Sequence, residues 1–214
     1  MQDESIEAMS LSSVSILIDQ ETVPSAVENF LSDIAGEVEK HRTKVPCGYR
    51  GFVPCDYRKL YSVLRLIDRN RLTCGMKFCE WGSGIGVATM VASMIGFDAH
   101  GIEIDPAMVE AAENLSREHG QRANFACGSF VPEGVDDLID SAFAENDGSI
   151  SMVTEAVDAY AELGFEIDEF DIIFCFPWPT DETLTADIFE RCASTGAILL
   201  TYDEMNGYLV RRKD

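Results

Sequence analysis

Glu80-Trp81-Gly82-Ser83-Gly84-Ile85-Gly86 is the stretch that decides how this chain folds. A short apolar run at 76–79 precedes it and reads as a buried strand. Residues 87–92, Val-Ala-Thr-Met-Val-Ala, follow it and read as a helix. Glycines at 82, 84 and 86 free the backbone for positive φ and let a ligand approach closely. The helix after the loop offers unpaired N–H groups and the positive end of its dipole. Twenty-one residues beyond Gly82, a second apolar run closes on Ile102-Glu103-Ile104-Asp105. An acid at that strand tip can accept hydrogen bonds from both hydroxyls of a ribose.

The spacing separates cofactors. A dinucleotide loop reads G-x-G-x-x-G, which would put its third glycine at 87. Val87 stands there and the glycine comes one residue early, at Gly86. Glu80, two residues before the first glycine, would oppose a pyrophosphate but suits a cationic amino-acid group. An NAD site and a plain glycine-rich turn in an α/β domain are the competing readings.

Outward from the loop, apolar runs alternate with helical periodicities. Strands are expected at 76–80, 98–103, 125–127, 171–176 and 197–202, with 208–210 as a sixth. Helices are expected at 25–40, 86–95, 106–119 and 180–192, with one or two acidic helices in 133–163. Asp56 is placed to cap a helix that buries Leu60, Val63, Leu64 and Ile67. Val14, Ile16 and Ile18 alternate like a short strand, although a helix also fits residues 1–22. The pattern implies an α/β fold with a doubly wound, mostly parallel sheet. Its ligand edge is the C-terminal end of the strands. The glycine loop, Glu103, Gly128-Ser129-Phe130 and Phe176-Pro177-Trp178-Pro179 all fall on that edge.

The chain has 214 residues and is 46% hydrophobic, enough for one domain with a sizeable core. No apolar run approaches the roughly 18 residues of a membrane span. The start, Met1-Gln2-Asp3-Glu4, lacks the basic region of a secretory signal. Seven cysteines, at 47, 55, 74, 79, 127, 175 and 192, form no C-x-x-C pair. Reduced core thiols in a cytoplasmic protein are expected, and the spacing of His41, His100 and His119 gives no metal site.

Charge is unevenly spread around a net value of −22. Residues 1–39 hold nine acids and no Lys or Arg, whereas residues 40–77 hold ten of the sixteen basic residues. Residues 123–190 hold seventeen acids and no Lys or Arg. Such runs ordinarily keep a surface solvated. A basic-free stretch that includes the expected ligand edge also favours a cationic partner and repels nucleic-acid phosphate.

Glu-x-Gly-x-Gly-x-Gly followed by a strand-end Glu resembles motif I and the acidic loop of class I, seven-strand S-adenosylmethionine-dependent methyltransferases, over about residues 50 to 205. The resemblance implies a Rossmann-like methyltransferase domain over 49–214. Residues 1–48 would be an N-terminal helical extension, and the C-terminal end of the usual seven-strand sheet would be shortened. It implies that Glu80 holds the methionine ammonium and that Gly82, Ser83, Gly84 and Gly86 give backbone room. Glu103, with Ile104 beside it, would take the ribose, and Ser129 and Phe130 would line the adenine. Many relatives carry an Asp where Ser129 stands. Phe176-Pro177-Trp178 occupies the catalytic motif IV position, where amino-group methylases begin with a polar residue.

Phe52-Val53-Pro54, in a loop from Gly48 to Pro54 that also contains Tyr49-Arg50-Gly51, is similar to a segment of small protein-lysine methyltransferases. In those it closes over the methionine end of the cofactor; Cys55 replaces their Thr. A looser likeness is to the non-SET histone-lysine methyltransferases. Pro177-Trp178-Pro179 resembles a motif of tRNA guanine-N7 methyltransferases, but the chain continues Thr180-Asp181-Glu182 where those are basic. The expected function is N-methylation of an amine, on protein lysine or a small molecule. The alternatives are a non-catalytic binding module on the same fold and an RNA methyltransferase. Asp171, Asp181, Glu182, Tyr202 and Asp203 are the candidates to accept a proton.

Overall fold

The computed structural model describes residues 11–16, 22–42, 51–146, 150–153 and 157–214. Ile18, Cys47, Tyr49, Arg50 and parts of 133–163 lie outside the described residues. In chain order the elements are β1 (Leu11–Ser13), α1 (Ser25–Asp33), α2 (Ala35–His41), α3 (Tyr57–Arg69), β2 (Lys77–Trp81), α4 (Val87–Ile95), β3 (Asp98–Glu103) and α5 (Pro106–Glu118). They continue with β4 (Ala123–Cys127), α6 (Asp136–Glu145), α7 (Ala159–Leu163), β5 (Ile172–Cys175), α8 (Glu182–Cys192), β6 (Ile198–Asp203) and β7 (Gly207–Lys213).

The strands form one sheet in the order β1-β7-β6-β5-β2-β3-β4. The five strands from β6 to β4 are mutually parallel, and β7 runs antiparallel to both β6 and β1. The chain leaves β2 for β3 and β4 on one side, then returns to β5 on the other. The switch in strand order therefore lies at the β2–β5 pair, where a crevice opens at the strand ends.

Two helical layers cover the sheet. Tyr160, Leu184, Ile188 and Phe189 from α7 and α8 pack on one face with Cys79, Ile173 and Leu199. On the other, Leu60, Val63, Leu64 and Ile67 of α3 and Ala88 and Ala92 of α4 meet Phe78, Ile172, Phe174 and Leu200. The outer helix α1 buries Val27, Phe30 and Leu31 against Met90 and Val91 of α4. Alternate residues of β5 go to opposite layers, so both of its faces are buried, as its unbroken apolar run requires.

Local chemistry sets several boundaries. Asp56 accepts the Lys59 N–H at 3.1 Å and Asp105 accepts the Ala107 N–H at 2.9 Å, capping α3 and α5. The single helix expected over 25–40 is broken at Ile34 into α1 and α2. The apolar face of α1 ends at Ile34, α2 buries no residue, and Gly36 costs about 1 kcal/mol of helix propensity against Ala.

The strand expected near 14–18 lies earlier, at Leu11–Ser13, with Val14 N–H still donating to Val210 O at 2.9 Å. Val14 and Ile16 pack against the core, which accounts for their alternation. Only β7 follows β6, so the C-terminal end is short by one strand, and β1 completes the seven from the N-terminal side.

Candidate active site

The C-terminal ends of β2, β3, β4, β5 and β6 enclose a cleft of about 1060 Å³. Glu80, Gly82, Ser83, Gly84, Glu103, Ile104, Ser129, Phe130, Phe176, Pro177 and Trp178 all line it. Gly86 does not. A Cβ at Gly86 would stand 2.4 Å from the Phe125 ring, so this glycine lets α4 close on β4 rather than facing a ligand.

The glycine loop is tied to the tip of β3. The N–H groups of Gly82 and Ser83 both donate to Ile102 O at 2.9 Å. Glu103 Oε2 accepts the Gly84 N–H at 2.8 Å, and Oε1 accepts those of Ile104 at 2.8 Å and Asp105 at 2.9 Å. Three N–H donors thus fix the carboxylate in place, two of them on Oε1, and leave Oε2 with capacity for a further donor. Gly82 has φ +72°, and a Cβ there would meet nothing within 4 Å, so the cleft reaches this backbone directly. Over Gly84 (φ +54°), the Phe52 ring lies 2.4 Å from where a Cβ would stand and roofs the loop.

Glu80 is 8% exposed at the end of β2. Its Oε2 accepts the Thr89 N–H at 2.9 Å and the Thr89 hydroxyl at 2.6 Å. This carboxylate therefore caps the first turn of α4 and takes up N–H capacity that the helix start would otherwise offer a ligand. Burial pushes its pKa up to about 8, against the two Thr89 hydrogen bonds, with the Glu103 charge adding to the rise. A buried acid that is neutral alone and ionises beside a cation suits an ammonium group.

Trp81, which the motif reading passed over, also lines the cleft and stacks on Phe130 with centroids 5.1 Å apart and planes 8° from parallel. The Trp81 indole N–H is directed at the Tyr160 hydroxyl, which in turn donates to Phe130 O at 2.9 Å. The Ser83 hydroxyl is buried without a hydrogen-bond partner. Ser129 donates to Val153 O at 2.7 Å and accepts the Val131 N–H at 3.1 Å, so its hydroxyl is committed to the loops around it.

At the other end of the cleft, Phe176 meets Tyr202 edge to face at 5.0 Å. Trp178 O accepts the Asp181 N–H at 2.8 Å, turning the chain into α8. Asp181, 2% exposed, accepts the Ser151 N–H at 3.0 Å. Asp203 accepts the N–H groups of Met205 and Asn206 at 2.6 and 2.7 Å, which hold its carboxyl below its ordinary range. Asp181, Glu182, Tyr202 and Asp203 line the cleft, whereas Asp171 does not. Asp171 precedes β5 and accepts the Lys77 N–H at 2.9 Å, at the opposite edge of the sheet. A strand's first residue faces away from its C-terminal edge, which excludes Asp171 as a proton acceptor here.

Seven carboxylates line the cleft, at 80, 103, 105, 181, 182, 203 and 204, and no Lys, Arg or His does so among the described residues. The basic 40–77 segment is largely spent elsewhere: Arg58 pairs with Glu28 at 2.8 Å, Arg65 with Asp68 at 2.6 Å and Lys77 with Glu169 at 3.1 Å.

No protein-family model matches the sequence, and no curated protein is significantly similar to it. Solved structures do resemble it. An RNA methyltransferase from Salinibacter ruber in complex with S-adenosyl-L-homocysteine is 18% identical, covering 75% of this chain and 93% of its own, with a TM-score of 0.50. A methyltransferase from Geobacter sulfurreducens is 16% identical, covering 91% and 93%, with a TM-score of 0.49. At such identity the first likeness speaks to architecture: the chain has a Rossmann-like methyltransferase fold.

Proposed function

We propose that the protein is an S-adenosylmethionine-dependent methyltransferase that methylates an amine nitrogen. The observation that carries this reading is the pairing of Glu103 with Glu80 across the glycine loop. Glu103 is anchored by three backbone N–H groups at the tip of β3, where it would meet the ribose. Glu80 is a buried acid poised to ionise beside an ammonium. The open face of Gly82 fits a ligand lying along this loop. Bound there, the cofactor would supply a methyl group activated by a positively charged sulfur.

The chain's own residues would hold the acceptor and exclude water. Phe52 roofs the loop, and Phe176, Trp178 and Tyr202 wall the far end. An ammonium must shed one proton before its nitrogen can accept a methyl group. Asp181, Glu182 and Asp203 stand in the cleft as acceptors for that proton. The all-acidic lining supports an amine over a nucleic acid, whose phosphates it would repel.

A thermal-shift titration with S-adenosylhomocysteine tests the cofactor assignment. A ligand at 100 times its Kd stabilises by about 2.7 kcal/mol, so a clear rise in Tm is expected. No rise at millimolar ligand removes the cofactor and leaves the fold as a binding module.

A further inference from the structure

Helix α4 starts without a capping side chain of its own. Its N-cap residue is Gly86, at φ +73°, and no side chain caps the helix from that position. A Ser, Thr, Asp or Asn there would ordinarily accept the N–H of the second or third helical residue. The third helical residue is Thr89, and its N–H donates instead to Glu80 Oε2 at 2.9 Å. The Thr89 hydroxyl donates to the same oxygen at 2.6 Å. A threonine hydroxyl in a helix ordinarily turns back to a carbonyl three or four residues earlier. This one reaches a carboxylate nine residues back, at a length within the roughly 2.5–2.7 Å of a hydroxyl bonded to an ionised carboxylate.

Two donors on one oxygen decide which oxygen is left for a ligand. Oε1 accepts no hydrogen bond among the described residues and is not sealed in the interior, and Glu80 lines the cleft. Thr89 is 0% exposed, so it acts through Glu80 and not on a ligand directly. Few other groups bear on the charge of this acid. Glu103 is the neighbour whose charge opposes it. Cys55 before α3, Tyr57 at the start of α3, Cys79 on β2 and Cys175 on β5 also face it, and burial pushes all four up, so they stay neutral. No Lys, Arg or His lines the cleft among the described residues. The two Thr89 hydrogen bonds are therefore what favours the ionised acid against its burial.

We propose that Thr89 is a positioning residue for the cofactor: its hydroxyl and N–H hold Glu80 Oε2 so that Oε1 is presented to the methionine ammonium. This rests on S-adenosylmethionine occupying the Glu80–Glu103 end of the cleft. Thr89→Val keeps the side-chain shape and the backbone donor but removes the hydroxyl. Glu80 then holds its proton more tightly, and a cationic ligand displaces that proton at greater cost. The loss is largest where Glu80 is mostly protonated and fades where it is ionised in both proteins. A structural defect alone would weaken binding equally at every pH.

Calorimetric titration of the full chain with S-adenosylhomocysteine at two pH values tests this. Thr89→Val is expected to bind roughly tenfold more weakly than wild type at about pH 7, and the ratio is expected to shrink at least about threefold by about pH 9. The ligand's own ammonium titrates alike in both experiments and cancels from that ratio. Thr89→Ser keeps the donor and is expected to recover most of the lost affinity. Carbon-13 NMR of the unliganded, glutamate-labelled protein supplies a readout without ligand, with the Glu80 carboxyl identified by its absence in Glu80→Gln. Its titration midpoint is expected to move up in Thr89→Val and to return toward wild type in Thr89→Ser. A loss of affinity equal at both pH values, an unmoved midpoint, or a Thr89→Ser protein as weak as Thr89→Val each overturns the inference. Should Thr89→Val fail to fold, Thr89→Ala removes the same hydroxyl and carries the same expectations. If wild type binds S-adenosylhomocysteine and the midpoint does not move, the Thr89 inference alone fails. If wild type does not bind it, the cofactor reading fails and the role of Thr89 in binding falls with it.

Discussion

Glu103 holds Gly84: its Oε2 accepts the Gly84 N–H at 2.8 Å, nineteen residues back along the chain. One side chain thus joins the glycine loop to the strand tip that would meet a ribose. Glu103→Ala removes the acceptor for three N–H groups and for a ribose hydroxyl. The expected outcome is loss of any thermal shift with S-adenosylhomocysteine. Glu103 is half-exposed, so water replaces much of what the backbone loses. Unfolding by urea without ligand should therefore show a cost of only about 1–2 kcal/mol. A Glu103→Ala protein that still shows the full ligand shift would refute this role.

Glu80 makes cofactor binding pH-dependent. Its pKa lies near 8 in the free protein against 4.5 ordinarily. Below about pH 8 an ammonium ligand must expel the Glu80 proton as it binds. Affinity is expected to rise with pH towards about 8, by at most about tenfold per unit, and to fall again where the ligand's own ammonium deprotonates. Calorimetry in buffers of different ionisation enthalpy should detect the released proton, and Glu80→Gln should abolish this component. The stability effect has the opposite sign. The fold favours protonated Glu80, so its contribution is full below pH 4.5 and is lost as pH rises from there to about 8. Unliganded Glu80→Gln should therefore gain stability over wild type at pH 8 relative to pH 5. A pH-independent difference between the two would contradict the buried acid.

Two glycines of one motif should fail differently. Gly86→Ala drives a Cβ into the Phe125 ring at 2.4 Å with φ at +73°. Left-handed strain of roughly 1–2 kcal/mol adds to overpacking of roughly 1–3 kcal/mol. Gly82→Ala meets the same strain at φ +72° but no atom within 4 Å. Gly86→Ala is expected to lower the urea midpoint substantially. Gly82→Ala should lower it modestly while weakening S-adenosylhomocysteine binding. The reverse ranking in the urea midpoint would show that packing does not separate the two positions.

That contrast marks where sequence was informative. The strand–loop–helix pattern around Gly82 and the acid at Glu103 depend on local spacing, which a sequence displays directly. The same is true of the caps at Asp56 and Asp105. What Gly86 does depends on Phe125, thirty-nine residues away across a strand, and no local pattern carries that. Asp171 shows the same gap, since its distance from the cleft follows from which end of β5 it occupies. The pairing of β1 with β7 joins residues some 200 apart, so neither the place of β1 in the sheet nor the completed seventh strand was legible. Trp81 was missed because its neighbours define the motif, whereas its own role depends on stacking with Phe130.

The two tryptophans of the chain, Trp81 and Trp178, both line the cleft, toward opposite ends. Intrinsic fluorescence therefore reports occupancy without an added label. S-adenosylhomocysteine is expected to change mainly the Trp81 signal, because Trp81 sits beside the loop and Phe130. An amine ligand should change mainly that of Trp178, on the loop after β5. Trp81→Phe keeps an aromatic ring against Phe130, and Trp178→Phe leaves the loop end of the cleft intact. In Trp178→Phe, the cofactor response should survive and the amine response should vanish; in Trp81→Phe the pattern should invert. Loss of both responses in either single variant would mean that the two ends do not bind separately, and the division of the cleft would be wrong.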